Sequence, residues 1–147
     1  CRSRHSNVPT YLGNTSKEED AIAIFKAISN TLGIPDILIN NAAQGIHTPP
    51  QDTSVAEWDR VMDTSLKGYF LNAREFSKLI LKARKPAAVV NIASIAGSSA
   101  IGRGNFVYST AKGGVIQMTK ELAIDDTLFY QKLYWIDGAL RSEEKDE

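Results

Sequence analysis

The stretch Tyr108-Ser109-Thr110-Ala111-Lys112 sets a phenol and an ammonium four residues apart. On a helix that spacing puts both side chains on one face, with Cβ atoms about 5–6 Å apart. A free tyrosine ionises near pH ~10, too high to exchange protons readily at neutral pH. A neighbouring cation favours the phenolate and lowers that value. The pair is therefore suited to acid/base work. Alone, two residues specify little, and a surface Tyr beside a solvated Lys is the ordinary reading of such a spacing.

The upstream sequence changes that balance. Ala88-Val89-Val90-Asn91-Ile92-Ala93-Ser94 is an apolar, β-type run that ends on a hydroxyl. Asp36-Ile37-Leu38-Ile39-Asn40-Asn41-Ala42-Ala43 is a second such run, ending in Asn-Asn-Ala-Ala. Its continuous apolar core, Ile37 to Ile39, predicts a strand covered on both faces of a parallel sheet.

The Asn-Asn-Ala turn, the strand-end Ser94 and Tyr108-x-x-x-Lys112, in that order, resemble the short-chain dehydrogenase/reductase family. The resemblance runs from about Thr10 to Ala123. It implies an α/β fold, a partial Rossmann-type parallel sheet with flanking helices. It implies an NAD(P)-dependent oxidoreductase acting on a small-molecule alcohol or carbonyl. Tyr108 would then transfer the proton. Lys112 would lower its pKa and hold the nicotinamide ribose. Ser94 would hydrogen-bond the reacting oxygen, and Asn40, Asn41, Ala42 and Ala43 would line the NAD or NADP. The family carries a catalytic Asn just before Leu-Lys-Gly, where this chain has Ser65, and that Asn supports a water relay to the lysine. The family has Gly where Ala43 stands, and an acidic contact where Gly13-Asn14-Thr15 stands.

The remaining sequence fills in the layers. Thr15 or Ser16 is placed to cap a helix whose first turn holds Glu18, Glu19 and Asp20, and whose apolar set is Ala21, Ile24, Phe25 and Ile28. Gly33 and Pro35 end it. Asp52, Thr53 or Ser54 can cap a long helix running to about Lys82, with a wide stripe from Trp58 to Ile80. His47 lies in the loop before it and reads as an exposed loop residue. Gly97 to Gly104 is a small-residue loop of the kind that borders a substrate. A further helix runs from Phe106 to about Asp125. The helices at 55–82 and 106–125 also offer surface for self-association.

Other segments depart from the family. No G-x-G-x-x-G occurs in these residues, since Gly102 and Gly104 are followed by Val107. The first βαβ segment and the final strands are thus expected to be missing, with residues 1–124 a partial cofactor domain and 125–147 a divergent tail. Val8 to Leu12 reads as a short strand deprived of its neighbour. Arg2 and Arg4 are candidates for the 2′-phosphate of NADP, against the plainer reading of an unstructured terminus. The rival to an enzyme is a non-catalytic fragment or association module without cofactor binding.

Composition sets the outer limits. Lys plus Arg and Asp plus Glu each number 17, so the formal net charge is zero. That balance argues against nucleic acid or an anionic membrane as main partner. No apolar run approaches the ~20 residues of a membrane span. The single cysteine, Cys1, cannot close an internal disulfide, which points to a reducing, cytoplasmic setting.

Overall fold

The computed structural model describes residues 9–102 and 104–124, and residues 131–136 as backbone. Cys1, Arg2, Arg4, Val8 and the tail from Arg141 lie outside them. The elements are α1 (Glu18–Thr31), β1 (Ile37–Asn40), α2 (Val55–Met62), α3 (Gly68–Ala83), β2 (Ala87–Ile92), α4 (Phe106–Ile124) and β3 (Gln131–Ile136). The three strands form one parallel sheet in the order β1-β2-β3, with Ile37 opposite Ala88 and Ala87 opposite Gln131. This is the α/β architecture expected from the motifs. β3 is the addition: the aromatic-rich run around Tyr134-Trp135 pairs along the whole of β2. Parallel strands need a crossover connection, and α4 lies between β2 and β3 in the chain.

The helices pack on one face of the sheet. Phe25 of α1, Phe76 and Ile80 of α3 and Val89 of β2 form one core cluster, with Leu38 of β1 against it. The Phe25 and Phe76 ring centroids are 6.3 Å apart and tilted by 58°, a favourable aromatic geometry. Side chains alternate along a strand, so Leu38 and Asn40 point to the helices while Ile37 and Ile39 point away. Ile37 is 59% exposed and Ile39 62%. The expectation that this strand is covered on both faces therefore fails. Among the described residues, only the helix-facing side of β1 is packed.

Three other expectations change. Residues 9–12 form no strand; extended backbone needs a ladder partner to satisfy its N–H and C=O groups, and none lies beside it among the described residues. The cap of α1 is neither Thr15 nor Ser16 but Lys17, which makes no side-chain cap bond. Asn14 organises that turn instead. Its Oδ1 accepts from the Ser16 amide at 3.0 Å and hydroxyl at 2.7 Å, and its own amide donates to Asp20 at 2.7 Å.

The long helix begins at Ser54, which makes a full capping box with Glu57. It is not uniform. Asp63–Lys67 winds as a π-helix between α2 and α3. The wider turn adds a residue, and one residue rotates the apolar stripe by about 100°. The stripe of α2 can then meet α4 through Val61 and Val107, while that of α3 meets the sheet.

Candidate active site

Both central strands end in the same region. After β1 the chain passes through Asn41, Ala42, Ala43, Gln44 and Gly45, all exposed. After β2 it reaches Ser94, which caps a short 3-10 turn at Ile95–Gly97 by accepting from the Ala96 amide at 3.2 Å. That turn is pressed onto α4. A Cβ added at Gly97 would lie 2.6 Å from the Lys112 carbonyl carbon, so only glycine permits the approach. Gly104 (φ 70°) makes a second close approach, to the His47 backbone, and closes the Gly97–Gly104 loop over residues 47 and 48. His47 itself is exposed. This loop, with the first turn of α4, borders a cavity of about 450 Å³ whose lining includes Ile101, Asn105, Phe106 and Ser109.

α4 carries Val107, Ala111 and Val115 into the core, which fixes where Tyr108 and Lys112 stand. Lys112 is 1% exposed. Its Nζ donates to the Ile92 carbonyl at 2.5 Å and to the Tyr69 hydroxyl at 3.1 Å. It lies 4.9 Å from the Tyr69 ring centroid and 5.7 Å from that of Tyr108. Burial pushes its pKa from 10.5 down to about 8, because a low-dielectric setting penalises the charged form. Burial, and then the nearby Tyr108, push Tyr69 from 10.0 up to about 12.

The structure thus brings Tyr108, Lys112 and the end of β2 together, with Ser94 two residues beyond the carbonyl that Lys112 holds. Gly45 flanks Tyr108: a Cβ there would stand 3.7 Å from the ring, in ordinary contact.

Two expected site residues have their side-chain partners away from Tyr108 and Lys112. The Asn40 side chain is turned into the core and is 2% exposed. Its Nδ2 donates to Asn91 Oδ1 at 2.9 Å, and its Oδ1 accepts from Asn72 at 3.0 Å. Asn91 in turn donates to Thr119 at 3.0 Å. This is a paired polar thread through a buried layer, as such groups require. Of the four residues expected to line a cofactor, Asn41, Ala42 and Ala43 are exposed there and the Asn40 side chain is not. Ser65, fully buried in the π-helix, accepts from the Gln44 amide and donates to the Gln44 carbonyl, both at 3.0 Å. Lys112 is not among its partners. Ser65 thus braces the Gln44-Gly45 loop that flanks Tyr108. Tyr69 is the residue that sequence reasoning missed, as it read only as part of an apolar stripe. The signal was its hydroxyl, since a buried tyrosine O–H needs a partner.

Strand-end Ser94, helix-borne Tyr108 and Lys112, and the exposed turn after β1 stand on a parallel sheet at its C-terminal edge. The profile of the family described as short chain dehydrogenase matches residues 2–127.

The chain belongs to the short-chain dehydrogenase family.

Among curated members, it is 33% identical over 114 residues to glucose 1-dehydrogenase 2 of Bacillus subtilis, covering 76% of this chain and 43% of that protein. It is 33% identical over 113 residues to 3beta-hydroxysteroid dehydrogenase 1 of Eggerthella lenta, covering 76% of this chain and 42% of that protein. The chain therefore spans less than half the length of these relatives. A crystal structure of a short chain dehydrogenase from Mycobacterium smegmatis superposes with a TM-score of 0.81 at 26% identity, over 88% of this chain and 55% of that one. The ligand-free aldohexose dehydrogenase of Thermoplasma acidophilum shares the fold, with a TM-score of 0.82 at 22% identity, over 91% of this chain and 51% of that one. Among the described residues, no helix is long and apolar enough to cross a membrane, and no group of His, Cys, Asp or Glu is placed to hold a metal.

Proposed function

We propose that this chain carries the proton-transfer end of an NAD(P)-dependent dehydrogenase that interconverts a secondary alcohol and its carbonyl. The observation that carries the reading is the placement of Tyr108 and Lys112 on one face of α4, beside the end of β2 and Ser94. In the reducing direction, the Tyr108 hydroxyl gives its proton to the carbonyl oxygen as that oxygen gains negative charge. In the oxidising direction the phenolate takes it back. The Lys112 ammonium favours the phenolate by charge, and the Ser94 hydroxyl donates a hydrogen bond to the reacting oxygen.

The residues fit the nicotinamide and ribose end of a dinucleotide. Asn41, Ala42 and Ala43 are exposed at the sheet edge where ligands of open α/β sheets bind. They would hold that end together with Tyr108 and Lys112. When bound, the nicotinamide supplies or takes the hydride. Residues 1–147 contain no glycine-rich pyrophosphate turn, so the phosphate end has no comparable cradle among them. The matched relatives are named for glucose and for a hydroxysteroid, and both are neutral alcohols. A cytoplasmic setting belongs to the same reading.

A second reading has its own observation. The away-facing side of β1 presents Ile37 and Ile39, and such strands invite association. Residues 1–147 by themselves would then be an association module.

The test is to join these residues behind the complementary N-terminal portion of a matched dehydrogenase. Reduction of NAD⁺ or NADP⁺ should appear with sugars or hydroxysteroids and vanish in Tyr108→Phe. Turnover that is unchanged in Tyr108→Phe removes the assignment.

A further inference from the structure

Tyr69 fills a core position, and a phenylalanine would fill it as well. What sets it apart is that its hydroxyl is used in both directions. It accepts from Lys112 Nζ at 3.1 Å and donates to the Ile92 carbonyl at 3.2 Å. Lys112 donates to the same carbonyl, so ammonium, phenol and carbonyl close a triangle at the end of β2. The ammonium also lies 4.9 Å from the ring centroid, within the range of a cation–π attraction. The resemblance gives residue 65 a water relay to this lysine, whereas the direct partners of the ammonium are Tyr69 and the Ile92 carbonyl.

We propose that Tyr69 is the positioning residue for Lys112. Its ring and hydroxyl, with the Ile92 carbonyl, hold the ammonium at the C-terminal end of β2, ready beside Tyr108. The titratable groups facing Nζ are few. Tyr69 faces it from α3 and Tyr108 from α4 itself, while β2 contributes only the Ile92 carbonyl. None of the ion pairs among the described residues involves Lys112. With no carboxylate to hold the charge, the phenol and the carbonyl are its partners. Tyr69 therefore acts through Lys112 and touches neither substrate nor cofactor. The role rests on the reading of Lys112 as the ammonium of the site.

The experiment reads Lys112 directly, in the full 147-residue chain without cofactor or substrate. Lysines are labelled with ¹³C and ¹⁵N at the side-chain end, and the Lys112 signal is assigned by its loss in Lys112→Arg. In the wild type, Lys112 should titrate near pH 8, apart from the surface lysines. It should also show a nuclear Overhauser contact from its terminal CH₂ to the Tyr69 ring. In Tyr69→Phe the ring stays and one charge-assisted hydrogen bond goes, so the midpoint should fall further, by about one pH unit. A merely space-filling tyrosine would leave it unmoved. An unmoved midpoint in folded Tyr69→Phe overturns the proposal. So does a wild-type Lys112 that lacks the ring contact, a reading that needs no variant. Failure of the enzyme reading shows instead as absent turnover, which these signals do not depend on.

Discussion

Lys112 Nζ stands 3.1 Å from the Tyr69 hydroxyl, across the interface between α4 and α3. The ammonium of the family motif is thereby tied to a helix that the motif does not include. No hydrogen bond joins Lys112 to Tyr108 among those of the described residues. The two motif residues meet only through the approach of the ammonium to the Tyr108 ring, at 5.7 Å. The position of the ammonium beside Tyr108 is therefore set by α3 and β2.

This arrangement predicts a pH dependence of stability. The folded Lys112 pKa, about 8, lies below the ordinary 10.5. Between those values the unfolded chain binds more protons, so stability rises with pH across that window. Below pH 8 both states are charged and the burial penalty is fully present. The relief amounts to roughly 3 kcal/mol at most. Tyr69 has the opposite sign. Its folded pKa is raised to about 12, so stability falls as pH climbs from 10 toward 12. Urea titrations at pH 7, 8, 9 and 10 should show the rise in the wild type and lose it in Lys112→Met. An equal slope in both chains would refute the assignment.

The Asn40–Asn91–Thr119 thread should behave as a unit. Asn91→Ala removes the acceptor of Asn40 Nδ2 and the donor to Thr119, leaving Asn40 Nδ2 only its long bond to the Tyr69 carbonyl and Thr119 only its bond to the Val115 carbonyl. With two hydrogen bonds lost, the cost should be about 1–3 kcal/mol, read as a lower denaturation midpoint with an unchanged slope. A loss below about 1 kcal/mol would mean that water or rearrangement satisfies those groups.

Gly97→Ala should separate the turn after Ser94 from α4. Its Cβ would lie 2.6 Å from the Lys112 carbonyl carbon, and the atoms it meets are backbone. A cost of about 1–3 kcal/mol is expected, as for other overpacked sites, with shifted amide signals at Ser94 and Lys112. Unperturbed amides at both residues would show that the two segments are not in contact.

Ser65→Ala should loosen the loop that flanks Tyr108. The Gln44 amide and carbonyl lose their shared partner; Gln44 is exposed, so water takes the place of Ser65 and the cost should be only about 0.5–1.5 kcal/mol. Hydrogen exchange at the Gln44 amide should quicken. An exchange rate that matches the wild type would mean the loop is held by other means.

Residues 1–147 alone should bind NADH and NADPH only in the millimolar range. The pyrophosphate supplies much of dinucleotide recognition in this fold, through backbone N–H groups at a glycine-rich turn. The ribose and nicotinamide contacts contribute ~0.5–1.5 kcal/mol each, too little to order a long flexible ligand. Calorimetric titration decides it, and saturation at micromolar cofactor would reveal a phosphate site elsewhere in the chain.

Much of the fold could be read from local sequence because its signals are local. Glu18 to Asp20 and the Ala21–Ile28 spacing mark α1, the runs at 37 and 88 mark two strands, and Tyr108 to Lys112 mark the site helix. These depend on propensity, periodicity and motif spacing, all of which act within a few residues. Other features depended on which segments meet in space. Whether Ile37 and Ile39 are buried depends on what lies against β1, not on the apolar run itself. The strand at Gln131–Ile136 forms because β2 offers it an edge. Asn40 looked like a cofactor ligand by its place in Asn-Asn-Ala, yet Asn91 and Asn72 draw its amide inward. Ser65 and Tyr69 lie on one helix, and neither role was legible there. The π-turn sets Ser65 under Gln44, and the packing of α3 against α4 sets the Tyr69 hydroxyl under Lys112. The residue types and their order along the chain determined the family. The tertiary structure decided which polar atoms found partners, because a buried hydrogen bond is settled by distances between segments far apart in sequence.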